Sequence, residues 1–245
     1  MQHCTLTVAP IKRNGLRMTG IVMRNENDLS FVARASSDGD LCTGLFLLYN
    51  TDAAGDNPDA VLSPSLSGLT YTLRSAGGKP LATITVCPSW DPARPIRLSV
   101  SVHRFDQPKP PNPLASLLPT SCMLYSSLGE DDTAGMGHNH YQQPFASQQV
   151  DELVTRAALW NSETRCWLQN LGSRVKRMSN RNFILISKSD GTRSVLEDLQ
   201  HVHLRFGQLT AVREWVCDFR EPSIDKTLAL AIICAALAQK ALCAL

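Results

Sequence analysis

Hydrophobic and polar residues alternate in short runs through the first half of the chain. TLTVAPI, GIVM, SFVAR, LCTGLFLLY, GLTYTLRS, PLATITVC and IRLSVSVH are separated by KRNG, RNEND, SSDGD, TDAAGDNPD, AGGK and PSWDPARP. Gly, Asp, Asn and Pro at each break, with β-branched and aromatic residues between, predict a meander of antiparallel strands. The alternation is cleanest from Leu81 to Val86 and from Arg97 to His103, where one face can be buried and the other wetted. Residues 105–149 depart from this pattern with PKPPNP, LASLLPTSCMLYSSL and EDDTAGMGHNHYQQP. They read as a mobile surface insertion within one domain spanning 1–245. Strand-like runs return as ELVTRAALW, TRCWLQNL, NFILISK, VHLRFGQL and EWVCDF.

The last stretch, TLALAIICAALAQKALCAL, has no polar side chain from Leu228 to Ala238. A helix that is apolar on every face has to be buried. Spanning a bilayer takes about 20 apolar residues, and this run is cut by Gln239 and Lys240. A core helix over 223–245 is therefore expected in preference to a tail anchor. Pro222 would end the incoming strand, Ser223 would cap the first turn, and Asp225 would suit the positive helix end. About a dozen strands and one such helix predict a mainly β fold, a closed antiparallel barrel with the helix in its lumen.

Composition narrows the function classes. A formal net charge of +2 over 245 residues gives no global drive toward nucleic acid, which is not an expected partner. The eight cysteines are scattered singly with no CxxC pair and read as reduced thiols of an intracellular protein. No targeting peptide and no glycine-rich phosphate loop is seen. His138 with His140, and His201 with His203, have His-x-His spacing, but neither pair has a third ligand at a telling distance, so no metal is expected. No nucleophile elbow or cysteine-enzyme context occurs. The expectation is a non-catalytic monomer without a cofactor. Trp160, Trp167 and Trp215 are expected to pack in the barrel.

WNSETRCWLQNLGSRVKRMSNRNFILI, Trp160 to Ile186, resembles the signature stretch of tubby-like proteins. Trp160, Asn161, Thr164, Asn170, Arg174, Val175, Ser179, Asn182 and Phe183 stand at matching positions without a gap. Arg205-Phe206-Gly207, Asp218-Phe219 and the apolar stretch Pro222 to Leu245 resemble later parts of the same domain. Phe31 and the TGLFLL run are a fainter match. The resemblance implies a twelve-stranded barrel threaded by the final helix. It also implies a peripheral adaptor that binds phosphoinositide headgroups through clustered lysines and arginines, in the cytoplasm and at plasma or ciliary membranes.

Two departures from the family pattern bear on that role. Ala35-Ser36-Ser37-Asp38-Gly39-Asp40 stands where the family has a basic run, and Val61-Leu62-Ser63 where it has a further lysine and arginine. Met1 lies nearly at the start of the barrel, so the family's cilium-directed extension is expected to be missing. The lipid-binding residues expected here are Arg17, Arg34 and Arg74, with Arg174, Lys176, Arg177 and Arg181 as the alternative basic patch. Two other functions remain open at this stage. One is a protein-interaction scaffold that has lost lipid binding and works through the insertion; the other is a scramblase-like lipid-handling domain, whose terminal helix would enter the bilayer.

Overall fold

Alternating strands need a shared interior for their apolar faces, and here that interior is the inside of a cylinder. The computed structural model describes residues 1–13, 16–37, 44–52, 57–87, 89, 91, 93–104, 149–190, 201–211 and 213–238. The strands are β1 (Gln2–Arg13), β2 (Leu16–Asn25), β3 (Phe31–Ser37), β4 (Phe46–Tyr49), β5 (Ala60–Pro64), β6 (Thr70–Ser75) and β7 (Pro80–Cys87). They continue with β8 (Arg97–Arg104), β9 (Gln149–Thr155), β10 (Leu159–Asn161), β11 (Cys166–Leu168), β12 (Phe183–Ser187), β13 (Leu204–Gln208) and β14 (Glu214–Phe219), followed by the helix α1 (Lys226–Ala238). Twelve of them close in the order β1-β14-β13-β12-β9-β8-β7-β6-β5-β4-β3-β2, while β10 and β11 form a separate hairpin. The expected insertion at 105–149 falls almost entirely outside the described residues. The barrel unit comprises Met1–His103 and Val150–Leu245.

The barrel was expected, yet its members differ from the sequence reading. β5 went unread, because Pro58, Ser63 and Pro64 make it look like part of a turn. TRCWLQNL was read as a barrel strand, but only Cys166–Leu168 is extended, and it pairs with β10 rather than with the barrel. ELVTRAALW divides between β9 and β10. β3 runs to Ser37, so Ala35, Ser36 and Ser37 are buried strand residues and not part of a loop.

Inward positions are apolar around the circumference. Ile21, Met23, Ala33, Phe46, Leu62, Leu73, Ile84, Val100, Leu185, Phe206 and Phe219 join one core with α1. A helix of this length is about 20 Å long, and every residue from Leu228 to Ala238 is buried in the lumen. Alanine at 229, 231, 235, 236 and 238 keeps it slim enough to fit within the side chains that line the wall. The cap is Asp225 and not Ser223: Asp225 Oδ1 accepts from Leu228 N at 2.7 Å, satisfying one of the free donors of the first turn. Thr227 Oγ1 also donates to Asn50 Oδ1 at 3.1 Å, fixing the helix base to the β4–β5 connection. No helix among the described residues is long and apolar enough to cross a membrane. With α1 enclosed by strands, the helix insertion required of a scramblase-like domain has no counterpart in this arrangement.

Ala235 is fully buried, with only apolar neighbours to receive it. Ala235→Asp should lower the unfolding free energy by several kcal/mol in urea titration, because the acid has no partner in the lumen. An unchanged midpoint would contradict the enclosed helix.

Candidate functional site

Two charged residues are buried within largely apolar strands, Arg205 in LRFGQ and Asp218 in EWVCDF. The antiparallel register sets them side by side, and His3 of β1 falls opposite Asp218 on its other flank. The three thus form a row on the outer wall of the barrel. Asp218 has no exposure, because residues 169–182 cross this wall as a strap.

Arg205 Nε donates to Asp218 Oδ2 at 2.7 Å and its Nη2 lies 2.6 Å from the same oxygen. Its Nη1 donates to Leu171 O at 3.1 Å, which ties in the strap. Arg174 reaches down from the strap to pair with Asp218 Oδ1 and, at the rim, with Glu26. A buried carboxylate with two guanidinium partners and a satisfied hydrogen-bond set is stable only while all members are present. His3 Nδ1 lies 2.9 Å from both Asp218 Oδ1 and Arg174 Nη1. Burial first, and then the charges of Arg174 and Arg205, lower its pKa; Nδ1 is shared between the carboxylate and the guanidinium, and the tautomer sets which contact is a hydrogen bond.

The other signature residues are also used by the strap and hairpin themselves. Val175 sits on Gly207: a Cβ there would come within 2.3 Å of Val175 Cγ2, so this strand position needs glycine for the crossing to approach. Asn182 is buried, donating through Nδ2 to Arg177 O at 2.8 Å and accepting from Gln208 N at 3.0 Å. Asn161 Oδ1 accepts from Glu163 N and Thr164 N at 2.9 and 3.0 Å, making the side-chain-closed turn of the hairpin. Leu171, Ile184, Ile186 and Val202 form a second small core beneath the strap.

The expected cation sites separate. Arg17 is opposite Lys12 in β2, whereas Arg34 of β3 pairs with Val22, roughly 17 Å further along the strand. Arg34 and Arg74 are three strand positions apart around the wall, roughly 14 Å. The Arg34 guanidinium lies 4.2 Å from the Tyr49 ring centroid with Nε donating to Thr51 O, and Arg74 Nη1 donates to Gly78 O. These three do not form one cluster. In the alternative patch, Arg174 is a structural ion-pair partner and Arg181 is half-buried, while Lys176 and Arg177 stand exposed next to each other. Neither of the latter two makes an ion pair among the described residues.

Sequence reasoning missed Arg94 and Arg97 as neighbours of this patch. Ile96 N donates to Asn180 O at 2.7 Å, bringing the β7–β8 connection to the strap. Arg97 is exposed, and Arg94 lies over the Trp167 ring at 4.9 Å. No periodicity reports a contact between segments so far apart in sequence. Of the tryptophans, Trp215 packs in the barrel, stacked on Phe206 at 4.8 Å. Trp160 and Trp167 correct the expectation, because both belong to the separate hairpin, and Trp160 is 50% exposed.

Among the described residues no group of three or more His, Cys, Asp or Glu is placed to hold a metal ion. His201 Nδ1 is 3.9 Å from Asp190; His138 and His140 lie outside the described residues. Cys4 and Cys217 face each other across β1 and β14. Burial pushes the Cys4 thiol up to about 11 and raises Cys217 well above the usual thiol range, the opposite of what a nucleophilic thiolate needs.

Asp218→Ala should destabilise the fold by about 3 to 5 kcal/mol, since Arg205 would remain buried without its carboxylate. Asp218→Leu combined with Arg205→Met should cost clearly less than Asp218→Ala in the same denaturation experiment; a double variant worse than the single would refute the buried-pair account. His3 and His203 both have lowered folded pKa values, with burial as the first cause. A group depressed in the folded state favours folding above its unfolded pKa and penalises it as pH falls through that value. Thermal stability should therefore decline from pH 7 to pH 5 (the window around the histidine model value of 6.5), and His3→Gln with His203→Gln should flatten that decline.

Against known proteins, no curated protein matches the chain. A family model described as the Tub family matches residues 77–239, from the turn before β7 through the end of α1. That span includes the strap, its buried ion pairs and the enclosed helix. The chain belongs to the Tub family.

Proposed function

We propose that this chain is a peripheral module that binds anionic lipid, with phosphoinositide as the headgroup suggested by its resemblance to tubby-like proteins, and that it links membrane to protein cargo. The Tub family is a family of non-enzymatic domains, and the reading needs no catalytic step. The observation that carries it is the exposed pair Lys176 and Arg177, held by the bridge of Arg177 to Gln208 and joined through Asn180 to the connection bearing Arg94 and Arg97. A multiply charged headgroup is neutralised by several cations on a fixed backbone, each charge-assisted bond contributing about 1.5 to 3 kcal/mol. The strap supplies the fixed backbone. Arg17 on β2, Arg34 on β3 and Arg74 on β6 are the weaker candidates in this reading, since they do not cluster, and Asp38 and Asp40 follow Arg34 closely in sequence. Such a module works at the cytoplasmic face of a plasma or ciliary membrane, where anionic lipids are concentrated.

Sedimentation with liposomes, with and without phosphoinositide bisphosphate and at two salt concentrations, tests this. Capture should be selective and should weaken with salt. Lys176→Ala with Arg177→Ala should lower affinity by roughly fivefold per charge removed, and Arg34→Ala with Arg74→Ala by less. No capture at low salt would refute the lipid reading; a larger loss from the Arg34 and Arg74 pair would move the site to the other wall.

A further inference from the structure

The hairpin β10–β11 stands apart from the barrel and exposes apolar side chains that a soluble surface normally hides. Leu159 and Leu168 pair directly across it and are 45% and 37% exposed. Trp160 and Trp167 form the next pair and, since faces alternate along a strand, lie on the other face. That second face is the anchored one. Trp167 Nε1 donates to Asp91 Oδ2 at 2.8 Å, the Trp160 ring is 5.3 Å from that of Trp167, and Arg94 covers Trp167. The leucine face is therefore turned away from the β7–β8 connection and left uncovered among the described residues.

Antiparallel strand order fixes which end of the barrel this is. The connections β5–β6 and β7–β8 lie on one rim, and the passage from β9 to β12 leaves from it and returns to it; within that passage the strap runs down the wall as far as Arg174, and Lys176 and Arg177 are back beside Gln208 at this rim. On that rim Leu66, at the tip of the β5–β6 turn, is fully exposed and Met178 of the strap is 73% exposed. Isolated exposed hydrophobics need no explanation, and Met1 and Leu29 stand so at the opposite end, but the larger number of exposed apolar groups lies toward this one, as at a contact surface. Lys176, Arg177, Arg97 and Arg165 are exposed on the same rim. The opposite rim, by contrast, mixes Glu26, Asp28, Asp52, Asp59, Asp190 and Glu221 with Lys79, Arg104, Lys188, Arg220 and Lys226 and carries no cationic excess. Tryptophan and leucine beside arginine and lysine suit the boundary between headgroups and acyl chains, and the charge difference between the rims orients the barrel toward an anionic surface.

We propose that the β10–β11 hairpin lies with its leucine face against an anionic bilayer, seating Leu159 and Leu168 at the headgroup and acyl boundary with the half-exposed Trp160 at the hairpin's edge, while Lys176 and Arg177 contact headgroups, so that the barrel docks by this rim. The inference rests on the anionic-lipid reading above and adds to it an apolar anchor and an orientation.

The test uses the full chain with phosphatidylcholine vesicles, plain or doped with phosphoinositide bisphosphate, whose acyl chains carry bromine as a short-range quencher of tryptophan fluorescence. The doped vesicles should quench the protein, and Trp160→Phe should keep binding while losing most of the quenching. Leu159→Ser with Leu168→Ser should lower vesicle partitioning roughly tenfold at an unchanged melting temperature, since neither side chain is buried. If the protein binds doped vesicles but is not quenched, and the leucine variant binds as well as the original, the anchor is refuted while the lipid reading stands. Failure to bind vesicles of either composition overturns both. A dimer in sedimentation velocity that the leucine variant dissolves would assign this face to a second copy of the chain, and also overturns the proposal.

Discussion

A helix with no polar side has to be surrounded, and in this protein that requirement sets the architecture. Eleven consecutive residues of α1 are removed from solvent, which only a wall on all sides achieves. A sheet closed on itself provides that wall and leaves no unpaired edge. The wall in turn needs filling, because a barrel of twelve strands is too wide for its own side chains to close the interior. Helix and barrel each supply what the other lacks. The slim alanine-rich sequence of α1, set against Phe46, Phe183, Phe206 and Phe219 on the strands, is the packing expression of that mutual need.

Outside the wall, a second constraint operates through charge. Asp218 and Arg205 occupy neighbouring positions on adjacent strands and would be ordinary surface residues if the strap did not cross them. Covered by the strap, they become a buried pair that Arg174 completes. Gly207 permits the crossing and Asn182 ends it. This gives the family signature a physical meaning: most of its residues fasten one segment to the outside of a barrel, and the segment so fastened displays Lys176 and Arg177. Function, in the reading proposed here, uses what the fastening leaves over.

The periodic features of the chain were legible. Alternation revealed most strands, and the unbroken apolar run revealed the inner helix, because both depend on local spacing. Features made by one layer lying on another were not. Nothing in WNSETRCW distinguishes a barrel strand from a hairpin held outside it, and Trp160 therefore looked like core. Arg174 and Arg177 are close in sequence and both basic, yet one is consumed by Asp218 and the other faces water. Only the register of β13 and β14 beneath the strap separates them. β5 was hidden for a local reason, since its prolines and serine imitate a turn while its pairing with β4 and β6 overrides that composition.

The seam of the barrel joins β1 to β14, the first strand of the chain to the last, with Cys4 opposite Cys217. During synthesis β1 emerges long before its partner exists, and the helix that fills the lumen follows β14. Until then β1 to β13 present an unfilled apolar inner face and two open edges, β1 and β13, a state prone to pairing with other chains. Closure and filling thus fall within the same step, which comes only after every other strand of the barrel has been made.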